Sequence, residues 1–221
     1  MKVHPEMASI KNSLIKIREN LIAKQKEIII RRIDEEARIV LDREIRTISN
    51  MSNYLLKYKS IMTISASSTI LNALREIPDE RRNKRIFVLE SRPILEGQIL
   101  AKELANLGYE VHIIVDAATG YFGEEVEAFA IGADTIFSDG SVINKVGSFL
   151  LALTANFYKK SFIVAASSNK ISSMSSKVHK ILIKHKPPQE IYKEKIKNLS
   201  PLNVYFDFVP AKYITKLISE K

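Results

Sequence analysis

Cysteine is absent from the 221 residues, which removes disulfides, thiolate metal sites and cysteine nucleophiles together. Histidine is scarce: His4, His112, His179 and His185 are the only four, and no two of them have ligand spacing. His179 and His185 stand in a lysine-rich polar stretch, where a solvated ring is expected. No metal site is therefore expected, and nothing calls for a cofactor. Long apolar runs are also missing. None is long enough to span a bilayer, and the opening MKVHPEMASIKNS lacks the apolar centre of a signal peptide. A cytoplasmic protein without a membrane partner is the expectation. Tryptophan is absent as well, and no inference rests on that.

Glycine and proline do not occur between residues 9 and 57. Apolar residues recur there at helical spacing, first Ile10, Leu14, Ile17 and Leu21, then Ile28, Ile33, Ile39, Leu41, Ile45 and Ile48. Two or three amphipathic helices are predicted, forming a small unit over 1–58 that packs on a larger domain over 59–221.

From Ser60 the pattern changes. SIMTIS, RIFVLES, EVHIIVD, AFAIGAD and SFIVAAS are short runs rich in Ile and Val that end in polar or small residues. Helical patterns over 67–75, 95–107 and 145–158 separate them. Strands alternating with helices predict a parallel sheet. The runs are apolar throughout rather than alternating, as for strands covered on both faces. The fold class is α/β: a Rossmann-like, doubly wound parallel sheet with helices on both faces, preceded by the helical amino-terminal unit.

The formal charge of +9 raises nucleic acid as a partner, but its distribution argues otherwise. Arg31, Arg32, Arg38, Arg43 and Arg46 alternate with Asp34, Glu35, Glu36, Asp42 and Glu44, the pattern of a solvated helix face. The uncompensated excess lies over 170–197, where Lys177, Lys180, Lys184, Lys186, Lys193, Lys195 and Lys197 meet only Glu190 and Glu194. That segment is either a basic surface for an acidic partner or a charge-rich solvated face. An RNA-binding reading lacks a stacking platform, because Tyr192 stands alone in it.

Ligands of wound sheets gather beyond the carboxyl ends of the strands. The residues there are 65–69, 90–92, Asp116, Asp134 and 167–170. Ser65, Ser67, Ser68 and Thr69 form either a helix cap with spare hydroxyls or the wall of an anion pocket at a helix N-terminus. Arg92 precedes Pro93 and is therefore placed in an extended loop. Asp139–Gly140 signals a turn, after which Asn144 and Lys145 are predicted to open a helix. A lysine there opposes the helix dipole unless an anionic ligand or Asp134 faces it. Asp116 and Asp134 either cap turns or belong to the site. Hydroxyls, an arginine, a lysine and aspartates on one edge fit a phosphorylated, polyhydroxylated small molecule.

The blocks ESRPILEGQILAKELANLGYEVHIIVDAA, GADTIFSDGSVINKVGS, LALTA, FIVAASSNK and NVYFDFVPAKYITKLISE resemble one family from about Ser60 to the end. It comprises the regulatory (alpha, beta, delta) subunits of eukaryotic translation initiation factor 2B and their archaeal homologues. Methylthioribose-1-phosphate isomerase and ribose-1,5-bisphosphate isomerase are its enzymatic relatives. The resemblance implies a helical unit followed by a Rossmann-like domain. Its isomerases convert an aldose 1-phosphate into a ketose with a cysteine and an aspartate. By motif the aspartate is Asp134, Asn144 and Lys145 are the substrate-holding pair, Lys170 contacts phosphate, and Arg92 belongs to the SRP block. The cysteine position carries Ser65. A thiol exchanges protons near neutral pH, whereas a serine needs an adjacent base, and no histidine lies in these loops. The glycine-rich, arginine-containing loop with which the isomerases grip substrate has no counterpart before Ser60, and Glu96 stands where they carry glutamine. The resemblance thus implies a regulatory-subunit-like protein that binds a sugar phosphate or nucleotide without turning it over. It would form at least a homodimer and act through protein contacts, with initiation factor 2 as a candidate partner. The alternative is an aldose–ketose isomerase of the ribose-1,5-bisphosphate type using Asp134.

Overall fold

The computed structural model describes residues 8–21 and 26–221. His4 lies outside them, as does the side chain of His179. In chain order the elements are α1 (Ala8–Leu21), α2 (Lys26–Leu55), β1 (Ser60–Ile64), α3 (Ser68–Glu76), β2 (Arg85–Leu89), α4 (Glu96–Asn106), β3 (Glu110–Ile114) and α5 (Thr119–Phe122). They continue with β4 (Ala128–Gly132), β5 (Thr135–Ile136), β6 (Val142–Lys145), α6 (Ser148–Phe157), β7 (Ser161–Ala165), α7 (His179–Leu182), β8 (Phe206–Val209) and β9 (Lys216–Ile218).

The five apolar runs form five neighbouring strands. With β9 they make a six-stranded sheet of order β3-β2-β1-β4-β7-β9, parallel at every pairing. Side chains alternate across it, so each run feeds two cores. Ile61, Ile86, Val88, Ala128, Ala130, Ile163 and Ala165 face a layer holding Met51 and Leu55 of α2, Ile70 and Leu74 of α3, and Leu100 and Leu104 of α4. Met62, Phe87, Leu89, Phe129, Ile131, Phe162 and Val164 face Leu151, Ala152 and Ala155 of α6. The end of α2 is therefore part of the sheet's own packing, with Met51 and Leu55 fully buried. Lys84 closes that end by donating to the carbonyls of Leu56 at 3.0 Å and Tyr58 at 2.5 Å. This is the cation a helix C-terminus favours.

One buried atom in this core lacks a partner among the described residues: the Thr63 hydroxyl, mid-sheet opposite Val88. A buried hydroxyl without a hydrogen bond costs about 1–3 kcal/mol. Thr63→Val keeps the shape and removes the unmet group, so stability should rise by about 1 kcal/mol in urea denaturation.

Asn144 and Lys145 depart from the sequence expectation. They do not open a helix but end β6, which pairs antiparallel with β5 and β8 in a second, three-stranded sheet. The turn at Asp139–Gly140 closes the β5–β6 hairpin, with the Phe137 amide donating to the Ser141 carbonyl at 2.9 Å. Helix α6 begins three residues later, at Ser148, behind Gly147 at φ 101°. The strand pairing wins because Lys145 aligns with Phe206, a partner far along the chain.

Candidate functional site at the strand ends

The strand order reverses direction between β1 and β4. Chain connections leave β1 toward β2 and β3 on one side and reach β4, β7 and β9 on the other, which opens a crevice beyond those strand ends. Three of the sequence-selected groups meet there. Ser65, left-handed at φ 66°, donates its hydroxyl to Glu96 Oε2 at 3.0 Å. The same carboxylate oxygen takes the Lys145 ammonium at 2.5 Å. Lys145 arrives because Gly147 packs on the end of β1, where a β-carbon would come within 2.7 Å of Ile64 Cδ1. Its side chain is 7% exposed, against 30% for Glu96. Asn144 is buried beside it and donates to the Ser148 hydroxyl at 2.9 Å. Asp134 is half-buried at the end of β4, its amide donating to the Ile143 carbonyl at 2.9 Å.

The remaining hydroxyls divide. Ser67 caps α3, accepting from the Ile70 amide at 3.3 Å, and sits so near β4 that a β-carbon on Gly132 would fall 2.6 Å from its Oγ. Ser68 is exposed in the first turn of α3. Thr69 is buried and donates its hydroxyl to Glu44 of α2 at 2.6 Å. Arg92 is exposed, and its amide and that of Ser91 donate to the two oxygens of Asp116 at 2.7 and 2.8 Å. Asp116 thus pins the loop after β2, the turn-capping role.

Lys170 faces elsewhere. It lines a cleft of about 840 Å³ between α1, α2 and residues 167–170, together with Arg43, Glu44, Ser167 and Asn169. Ser65, Arg92 and Lys145 do not line that cleft. No carboxylate among the described residues stands within ion-pair distance of Lys170, which is half-buried. Glu220 accepts from the Ser168 amide at 2.9 Å and from the Ser168 hydroxyl, and pairs with Arg43 Nε at 3.8 Å. Burial pushes this carboxyl up, but the two Ser168 bonds, its own amide and Arg43 outweigh burial and leave it below the usual 4.5. A depressed carboxyl stabilises the fold above its unfolded pKa, and that contribution is lost as pH falls through the folded one. Melting temperature should therefore drop more steeply below about pH 4.5 in the wild type than in Glu220→Gln, when both are followed by circular dichroism.

Sequence reasoning gave no role to three participants, although Ser91 lay within the strand-end residues 90–92. Ser91 is fully buried and ties β1 to β2, accepting from the Ser65 amide at 2.8 Å and donating to the Leu89 carbonyl at 2.9 Å. Tyr205 stacks over Lys145, ring centre to Nζ 4.8 Å, and donates its hydroxyl to Glu190 at 2.5 Å. Burial, Glu190 and Glu96 push its phenol up to about 12. Asp207 caps α6 from β8, accepting from Phe149 at 3.0 Å and Gly147 at 3.3 Å. Burial raises its carboxyl against the pull of those amides. The Phe-Asp pair was visible in the closing block, but nothing local says that its carboxylate reaches a helix nearly sixty residues earlier.

Charge placement is the main difference from the expected trap. The buried lysine at the crevice is already neutralised by Glu96, and Lys170, half-buried and without a counter-ion among the described residues, lies in the neighbouring cleft. The lysines of 170–197 are mostly exposed. No group of three or more histidine, aspartate or glutamate side chains that could hold a metal occurs among the described residues. No helix among them is long and apolar enough to cross a membrane.

Comparison with known proteins bears out the resemblance. A ribose 1,5-bisphosphate isomerase of Methanocaldococcus jannaschii is 31% identical over 201 residues, 88% of this chain and 64% of that protein. The Archaeoglobus fulgidus isomerase is 34% identical over 73% of this chain and 52% of its own length. The chain thus spans less than two thirds of these isomerases. A putative translation initiation factor eIF-2B subunit 2-like protein of Pyrococcus horikoshii is 31% identical, covering 100% of this chain and 76% of that one. Among solved structures, the Pyrococcus horikoshii OT3 translation initiation factor eIF-2B superposes with a TM-score of 0.85 at 30% identity, covering 98% of this chain and 75% of the other. The model of the initiation factor 2 subunit family matches residues 1–221, and the chain belongs to that family.

Proposed function

We propose that this protein is a regulatory-subunit-like member of the family that binds a sugar phosphate at the strand ends without isomerising it and acts through protein contacts. The observation that carries this is the hydrogen bond from Ser65 to a carboxylate already committed to Lys145. The position that resembles the isomerase cysteine holds a hydroxyl, whose pKa lies far above neutrality, and the carboxylate it bonds is held by a buried ammonium. Coverage agrees: the eIF-2B-like relative aligns over the whole chain.

An isomerase reading draws on one specific feature, the half-buried Asp134, whose amide bonds Ile143 of the strand that carries Asn144 and Lys145. Incubation with aldose 1-phosphates, ribose 1,5-bisphosphate included, followed by NMR decides between the two. No ketose is expected from the wild type. Ketose formation that disappears in Asp134→Asn would establish the isomerase reading. A gain of turnover in Ser65→Cys would show that only the thiol is missing.

Protein contacts need an apolar face. Leu150, Leu153 and Phe157 recur on one side of α6 at 40%, 38% and 77% exposure, with Tyr121 also exposed nearby. That stripe suits a second subunit, so at least a homodimer is proposed, with initiation factor 2 as a further partner and the cytoplasm as its setting. Native mass spectrometry of wild type and Phe157→Asp reads the oligomer: dimer for the first, monomer for the second.

A further inference from the structure

On the edge of the sheet opposite the crevice, a pocket of about 380 Å³ opens between the end of α6, the first residue of β7 and the turn before β9. Lys159, Lys160 and Lys212 line it with Asn156, Ser161 and Thr215, and no aspartate or glutamate does. Strand β7 is five residues long and rises about 3.3 Å per residue, so its length separates this pocket from the strand ends by about 13 Å.

The three ammonium groups are not matched by counter-ions. Elsewhere on the surface Arg75 meets Glu103, Arg85 meets Glu125 and Lys16 meets Glu36. None of the pocket lysines has a carboxylate within ion-pair distance among the described residues. Lys160 is committed to the fold, donating to the carbonyls of Gly123, at 3.3 Å, and Glu124. Lys212 lies over the Tyr213 ring, 4.9 Å from its centre, and Lys159 follows α6 in the left-handed conformation at φ 54°. Neither donates to a carbonyl among the described residues, so they do not cap α6. The carboxyl end of α6 carries about half a negative charge, which three full positive charges outweigh. The Thr215 hydroxyl oxygen accepts from the Phe162 amide at 3.0 Å, which leaves its proton to donate.

Lysines are point charges on flexible stems and can gather round the several oxygens of a phosphate. Planar, two-point recognition of a carboxylate calls for arginine, and no arginine lines the pocket. One wall is apolar: Tyr213 is braced edge-on against Phe149, ring centres 5.6 Å apart, and Ile214 follows it. We propose that this pocket is an anion site separate from the strand-end crevice, and that it takes the phosphate monoester of a small organic molecule. The phosphoryl group sits among Lys159, Lys160 and Lys212, and the organic body rests on Tyr213 and Ile214.

Residue-resolved NMR of the full chain tests this, with phenyl phosphate, inorganic phosphate and acetate titrated at constant ionic strength. Phenyl phosphate should shift the amides of 159–161 and 213–215 and saturate them with a Kd of about 1 mM or tighter. Inorganic phosphate should bind there about threefold more weakly or worse, since it leaves the apolar wall uncovered, and acetate should leave those amides unmoved. Lys159→Gln combined with Lys212→Gln removes two charge-assisted bonds and should weaken phenyl phosphate by about tenfold or more. Lys160 stays in place in that variant because its carbonyl bonds hold the 123–124 turn. Lys193→Gln, at an exposed lysine of the basic segment, is the control and should change the affinity less than about twofold. Shifts at the pocket no larger than those around Lys193–Lys197, or an unchanged affinity in the double variant, overturn the site. Equal affinity for inorganic phosphate and phenyl phosphate overturns the assignment of a monoester.

Discussion

Gly97→Ala is expected to lower stability by about 4 kcal/mol or to prevent folding, an effect at the far end of what single substitutions do. Gly97 is buried in the first turn of α4, and a β-carbon there would lie 1.7 Å from the Leu89 carbonyl oxygen and 2.9 Å from its carbon. Both are backbone atoms at the carboxyl end of β2, a strand paired on both sides in the parallel sheet. No side-chain rotation relieves the contact; the helix must lift off the strand. The first turn of α4 carries Glu96, so lifting it also draws the carboxylate away from Lys145. Gly120→Ala is the control, since nothing lies within 4 Å of its added carbon. Urea denaturation should place Gly120→Ala within about 1 kcal/mol of wild type. A Gly97→Ala protein that unfolds at the wild-type midpoint would mean that α4 does not approach β2 as described.

The second large effect concerns the Glu96–Lys145 pair. Glu96→Ala leaves a lysine that is 7% exposed with no counter-charge, and breaking a buried pair from one side costs about 3 kcal/mol. Lys145→Met places a flexible apolar chain under Tyr205 and leaves Glu96, at 30% exposure, partly able to reach water, so its cost should be smaller. The double variant removes both charges and should lose less than the sum of the singles, with a coupling of about 2 kcal/mol. The pair Lys16–Glu36, exposed at 48% and 37%, supplies the contrast, with a coupling below about 1 kcal/mol. Additive single effects at Glu96 and Lys145 would show that the two charges do not interact in solution.

The class of fold was legible because its signal is local and repeated. Four strands of the parallel core, β1, β2, β4 and β7, are runs covered on both faces, as IFVL and FIVA show, whereas β3 at the edge leaves Ile113 53% exposed. The ends of those runs also named the crevice, because parallel strands put all their carboxyl ends on one edge. The sequence left Asp116 as a turn cap or a site residue and the hydroxyls of 65–69 as a helix cap or a pocket wall; in the fold Asp116 caps the loop after β2 and Ser67 caps α3. Residues 144 and 145 were misread for a corresponding reason. Their conformation is decided by β8, more than sixty positions away, and no neighbour in sequence carries that information.

What the chain determines by itself is the alternation of elements, the strand-end positions of the hydroxyls at 65–69, of Arg92 and of Asp134, and a serine at position 65 in a chain without cysteine. Only the tertiary structure decided how those charges pair. Charges and hydrogen-bonding groups find their partners through space: Glu96 from α4 meets Lys145 from β6, the Thr69 hydroxyl meets Glu44 of α2, and Lys170 remains in a separate cleft. A list of residue types carries the number of charges, but the field a ligand meets depends on the distances between them. Those distances are set by the packing of elements far apart in the sequence.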